Sequence, residues 1–184
     1  MIDTQSALWI GNLAIYNDGE ICGDWLSLPI YDEQEFQKFL ESKCRIGECD
    51  EYGQEYEEWY IGDITSNLPI EYHEYMSIEE ILELSEIISD IENFNYSEFS
   101  ALLAWIEHNN NNLEEAYHCI SGGNYAHYPN IKSWYDLGEF YFNNGGYDDE
   151  VSERMRDFID FEKFGKRMGE GGNISNEHGY FESW

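Results

Sequence analysis

The chain has 184 residues, of which 39 are Asp or Glu and nine are Lys or Arg, giving a formal net charge of -30. At 42% hydrophobic and 17% aromatic it has enough apolar residues for a core, which excludes a disordered acidic tail. Charge of one sign at this density repels nucleic acid and anionic lipid, and suits solubility or attraction to a basic partner.

The length fits one ordinary domain or two to three small modules, and an extended arrangement spreads the charge better than a sphere. The first six residues lack the basic and apolar regions of a signal peptide, and no apolar run approaches the ~20 residues that span a bilayer. Cys22, Cys44, Cys49 and Cys119 are therefore expected as free thiols in a reducing cytoplasm.

Residues 7–28 read as a hairpin. Leu8, Trp9 and Ile10 form one apolar run, Asn17-Asp18-Gly19 a turn, and Trp25 and Leu26 the return strand, which Pro29 stops. Phe36, Phe39 and Leu40 predict a helix over 33–41, followed by a loop at 42–53 and a strand at 57–64. These pieces make a small β-rich module, 1–70.

The middle, 71–120, reads as helical. Ser77 and Glu80 form a capping-box pair, and Ile78, Ile81, Leu82, Ser85 and Ile88 mark one face of the helix behind them. Glu79, Glu83, Glu86 and Asp90 fall on the opposite face. A second helix is expected over 96–108, ended by the asparagine run 109–112, and Asn112 with Glu115 opens a short third.

The last module, 121–184, begins with Gly122-Gly123 and an acid-poor aromatic stretch holding Tyr125, Tyr128, Trp134 and Tyr135. Ser133 caps a helix to about residue 143, closed by Gly145 and Gly146. Residues 151–168 carry a further helical pattern with five of the nine basic residues, and 173–182 a terminal strand pair. The fold class predicted is α+β: an elongated three-module chain with a small antiparallel sheet, a helical middle and a mixed C-terminal module.

Enzymatic readings find little support. Carboxylate pairs abound, but no His or Arg constellation singles out two of them as an acid/base pair. Gly169-x-Gly171-Gly172 lacks the Lys-Ser/Thr of a phosphate loop. Asp148-Asp149-Glu150 lacks the alternating ligands of a calcium loop and reads as helix capping. Cys44 and Cys49 do not form a CxxC, and no zinc set is completed nearby. No catalytic residue, metal or cofactor is expected.

The acidic pattern does call for a role. Residues 47–131 contain 19 acids and no Lys or Arg, whereas an ordinary solvated face mixes signs. Duplex DNA carries one negative charge per ~1.7 Å of axis, so thirty charges at that density would cover roughly 50 Å. One helix stripe supplies only about one charge per 5.4 Å turn, so several stripes and strand edges must contribute.

Three groups of segments then bear on family. They are Trp9-Ile10-Gly11-Asn12-Leu13 with Tyr16-Asn17-Asp18-Gly19 and Gly23-Asp24-Trp25; Glu58-Trp59-Tyr60-Ile61-Gly62-Asp63 with Tyr75-Met76-Ser77-Ile78; and Tyr135-Asp136-Leu137, Phe158-Ile159-Asp160-Phe161-Glu162-Lys163-Phe164-Gly165 and His178-Gly179-Tyr180-Phe181-Glu182. In this order the chain resembles the ArdA antirestriction proteins of mobile genetic elements. The resemblance implies a DNA mimic that occupies the DNA-binding surface of type I restriction-modification enzymes, on their specificity and modification subunits, in the cytoplasm of a bacterial host. It implies no enzymatic activity, no direct nucleic-acid or membrane binding, and a homodimer joined through the C-terminal module.

On this reading the phosphate surrogates are Asp50, Glu51, Glu55, Glu57, Glu58, Glu79, Glu83, Glu86, Asp90, Glu92, Glu98, Glu107, Glu114 and Glu115. Tyr125, Tyr128, Trp134 and Tyr135 are expected at the dimer interface, or else in the core of the third module. Two rivals stand beside it: a general acidic module for another basic DNA-binding protein, and a hydrolase using one carboxylate pair.

Overall fold

The computed structural model describes residues 2–184 except 110, 111, 146 and 148–150, and leaves out the side chain of Glu153. The Asp148-Asp149-Glu150 reading therefore lies outside the described residues. The chain divides into two compact units, Met1–Phe94 and Asn95–Trp184. The division falls inside the stretch read as the middle module, after its first helix.

In the first unit β1 (Ser6–Asn12) is the central strand of a three-stranded sheet ordered β2-β1-β3, antiparallel to both β2 (Gly23–Leu28) and β3 (Trp59–Ser66). The antiparallel strand pair expected over 7–28 is present, but its connection is more than a turn: a five-residue helix, α1 (Leu13–Asn17), stands between the strands. Asn12 caps α1 by accepting from the Ile15 amide, and Gly19 turns the chain back with φ +88°, where a Cβ would be strained.

One face of the sheet presents Leu8, Ile10, Leu26, Leu28 and Ile61 to the core with Phe36 and Leu40 of α2 (Glu33–Lys43). Phe36 also meets Trp59 edge-on at 5.1 Å. Helix α3 (Ile78–Glu92) adds Ile81, Ile88 and Ile91, all buried as its apolar periodicity requires.

In the second unit α4 (Tyr96–His108) and α5 (Leu113–Gly122) pack on each other, and α5 ends at Gly123 in the left-handed region. A second sheet, ordered β4-β6-β5, joins Tyr125–Tyr128, Gly179–Ser183 and Asn173–Ser175, all antiparallel. The strand β4 lies in the stretch read only as aromatic-rich.

Helix α6 (Trp134–Asn144) is capped by Ser133, as its sequence predicts. The single helix expected over 151–168 is two: α7 (Glu153–Arg156) and α8 (Phe161–Met168). Asp160 accepts from the Lys163 amide and restarts the helix, and so Met155 and Phe158 are left exposed rather than lining one apolar face.

Helices α6 and α8 cross at two glycines. A Cβ on Gly138 would sit 1.9 Å from the Phe161 carbonyl oxygen, and one on Gly165 would sit 1.9 Å from that of Trp134. Beside this crossing Ile131, Leu137 and Tyr180 form a buried cluster with Tyr128, Trp134, Phe140, Tyr141 and Ile174 packed against it.

Candidate interaction surface

The acidic face of α3 begins with its cap. The Ser77 hydroxyl accepts from the Glu80 amide at 3.2 Å, and Glu80 returns the contact by accepting from the Ser77 amide at 2.6 Å. That amide, helped by His73 at 3.3 Å, holds the Glu80 carboxyl below its ordinary range. With Ile81, Ser85, Ile88 and Ile91 turned inward, Glu79, Glu83, Glu86 and Asp90 are exposed at spacings of four, three and four. At 1.5 Å per residue they span about 16 Å.

A second group comes from the loop before β3. Asp50 Oδ1 accepts from the amides of Tyr52 and Gln54, both at 2.8 Å, closing a tight turn with Gly53 at φ +84°. Below it, the Gly47 amide donates to the Tyr56 carbonyl at 2.9 Å, and the Tyr56 amide donates to the Glu48 carbonyl at 2.8 Å. The loop is thus hydrogen-bonded from end to end, and Glu51, Glu55, Glu57 and Glu58 project from it into solvent.

The remaining expected residues lie partly inside the fold's own hydrogen bonding. Glu92 accepts from Thr4 Oγ1 at 2.7 Å, with Thr4 buried. Glu98 accepts from the Asn95 amide at 2.8 Å as the second half of a capping box on α4. Glu107 accepts from the Ser175 hydroxyl and lies 4.0 Å from His178 Nε2. Glu114 and Glu115 stand exposed in the first turn of α5, where the helix dipole favours negative charge.

The pattern is therefore uneven. Asp50, Glu92, Glu98 and Glu107 also hold local structure together, whereas Glu51, Glu55, Glu57, Glu58, Glu79, Glu83, Glu86, Glu114 and Glu115 face outward. Among the described residues, and leaving Asp90 aside, none of the expected surrogates pairs with Lys or Arg. The Lys and Arg ion pairs go instead to Asp24, Glu48, Glu139 and Glu162. Five exposed carboxylates in the cation-free span, Glu48, Asp63, Glu71, Glu74 and Glu80, are not among the surrogates expected from sequence. The absence of Lys and Arg from that span was the available signal.

Charge is divided unequally between the units. Residues 1–94 hold 23 acids and three basic residues, and residues 95–184 hold 16 and six, so the first unit carries -20 of the net -30. Most of the net negative charge therefore belongs to the first unit.

The four aromatics expected at an interface have different surroundings. Tyr125 stacks on Phe181 at 5.8 Å. Tyr128 packs on Phe140 at 4.6 Å, and Trp134 meets Tyr180 edge-on at 6.5 Å, both as part of the second core. Tyr135 touches Phe161 yet remains 48% exposed.

Among the described residues no three His, Cys, Asp or Glu side chains converge as a metal site requires. Nor is any described helix long and apolar enough to cross a membrane. The four cysteines are free thiols, and burial pushes Cys44 up to about 12.

A family model described as antirestriction protein (ArdA) matches residues 8–182. Comparison with curated proteins gives no match.

Proposed function

Since the chain belongs to the ArdA antirestriction family, we propose that it acts by imitating the charge of duplex DNA and occupying the DNA-binding surface of a type I restriction-modification enzyme. The observation that carries this reading is the outward carboxylate array within an 85-residue span, 47–131, that contains no Lys or Arg. A basic groove shaped for phosphates gains the same kind of attraction from Glu79, Glu83, Glu86 and the loop carboxylates. Competitive occupancy needs no cofactor and no catalytic group.

The specificity and modification subunits are the partners this reading names, in the cytoplasm of a bacterial host. Nucleic acid itself is repelled. Self-association is assigned to the C-terminal part of the chain, and charge supports that choice. Residues 151–170 contain five acids and five basic residues, a neutral window in a strongly anionic protein. Tyr135, Met155 and Phe158 are exposed in this part of the chain. A second copy meets less repulsion there than at the acidic face.

Titrating the protein into a purified type I methyltransferase, with duplex DNA as competitor, tests the reading. Binding should be competitive with DNA and weaken steeply with salt. Salt-independent binding, or simultaneous binding of DNA and protein, would falsify it. Equal affinity for unrelated basic DNA-binding proteins would favour the general acidic module.

A further inference from the structure

The sequence blocks around Trp9, Trp25 and Tyr60 are not explained by a carboxylate array. They meet on the outer face of the first sheet. Leu8 and Ile10 point into the core, so Trp9 between them points away. A Cβ on Gly11, Gly23 or Gly62 would lie 2.7, 2.9 or 2.7 Å from atoms of the Trp9 indole. Three glycines, one on each strand, thus form the floor on which that ring rests. Gly62 sits at the register shift opposite Trp9 and Ile10.

Other rings extend the platform. Trp25 is the cross-strand partner of Trp9 and is 42% exposed. Tyr60 meets Trp9 edge-on at 5.7 Å, and Tyr16 leans on Tyr60 at 5.1 Å. Asp63 stands opposite Trp9 in register. At the β3 end, the Glu74 carbonyl accepts from the Ile61 amide at 2.8 Å and the Glu58 carbonyl from the Leu13 amide at 3.0 Å. Tyr75 lies beside both carboxylates, and the charge of Glu74 above all holds its phenol above the ordinary value.

Exposed aromatic rows commonly stack nucleobases. Here the surrounding unit carries -20, which repels any polyanion. A planar cation is the complementary ligand, because it stacks on a ring face and pairs with the carboxylates at its rim. We propose that this outer face receives arginine guanidinium groups of a basic protein partner, stacked on Tyr16, Trp25 and Tyr75 and paired with Glu58, Asp63 and Glu74. The inference rests on the reading that the partner is a DNA-binding protein, and adds to charge a preference for arginine over lysine.

Hexa-arginine and hexa-lysine peptides carry equal charge and so separate the two contributions. Titrated into the full chain at low ionic strength, hexa-arginine should bind about five- to tenfold more tightly, as two or three exposed cation–π contacts allow. Replacing Tyr16, Trp25 and Tyr75 together by Ala should remove that preference, lowering hexa-arginine affinity more than hexa-lysine affinity and leaving the hexa-lysine salt slope in place, because the carboxylates remain. Tyr16→Phe with Tyr75→Phe should retain it. Ring-current shifts of the arginine side-chain protons in the unmodified protein give a readout that needs no variant. Equal affinity for the two peptides, an arginine preference that survives the alanine variant, or tighter binding of a single-stranded oligonucleotide than of hexa-arginine overturns the proposal. A hexa-lysine affinity indifferent to salt counts instead against DNA imitation as such.

Discussion

The Asn12 side-chain amide donates to the Cys44 carbonyl at 2.9 Å, while its Oδ1 accepts from the Ile15 amide at 3.1 Å. Asn12 is fully buried, so one side chain ties the end of the central strand to the C-terminus of α2 and starts α1. Asn12→Ala leaves a buried carbonyl and a buried amide without that partner and should cost about 2–4 kcal/mol. Asn12→Asp keeps the acceptor but aims a carboxylate at the Cys44 carbonyl, and should cost at least as much at neutral pH. Urea unfolding midpoints at unchanged m-value measure both.

The crossing of α6 and α8 makes a sharper demand. Backbone atoms, which cannot turn aside as a flexible side chain can, occupy the space a Cβ on Gly138 would need. Gly138→Ala should lose about 3 kcal/mol or more, at the upper end of overpacking costs. The loss should appear in the near-ultraviolet signal of the second unit's aromatics. A fully stable Gly138→Ala protein would show that the two helices can separate freely.

His127 sets a pH dependence. Its Nε2 is 2.8 Å from the His178 carbonyl and its Nδ1 is buried with no hydrogen-bond partner among the described residues, which favours the neutral ring in the folded chain. Burial above all holds its folded pKa below 6.5. The stabilising effect of the neutral ring is complete above about pH 6.5 and lost as pH falls from there through the lower folded value. Protonating surface carboxylates relieves self-repulsion and acts in the opposite sense. The test is therefore the difference between wild type and His127→Gln in urea unfolding from pH 5 to 8. Wild type should lose relative stability toward pH 5.

How far the sequence foretold this fold depends on the signal each element carries. Helix α4 has the expected bounds because Asn95 and Glu98 cap it and four apolar residues recur at helical spacing. The five residues of α1 are too few for periodicity to register, so a strand-turn-strand pattern hid them. The strand β4 has four residues and no alternation of exposure, since all are half-buried. The 151–168 pattern held enough apolar residues for one helix, but the cap at Asp160 outweighed their spacing.

The candidate surface was legible as composition, because omission of Lys and Arg is visible in a line of text. Which acids also serve the fold was less so. Glu98 could have been assigned to a capping box from Asn95, whereas the Thr4–Glu92 and Ser175–Glu107 contacts join residues too far apart in sequence to be paired by spacing. In sequence the aromatic platform is only a set of separate, mostly apolar blocks that read as serving the fold, since strand register alone sets its three glycines under one indole.

For the carboxylates, Glu79→Gln, Glu83→Gln and Glu86→Gln should act in graded fashion. Each neutralisation should weaken binding to the restriction enzyme, and the slope of log affinity against log salt should flatten by up to about one per charge removed. No single substitution should abolish binding. Complete loss from one of them would point to a specific contact in place of a distributed field.

The cation-free stretch also governs how the chain is cut. Trypsin needs Lys or Arg, so after Arg45 its next site is Lys132, and the junction at Phe94 and Asn95 lies between them. Even a fully opened chain would give trypsin no cleavage there. A glutamate-specific protease meets Glu92 and Glu98 on either side of that junction, and is the enzyme whose digestion pattern can separate the two units.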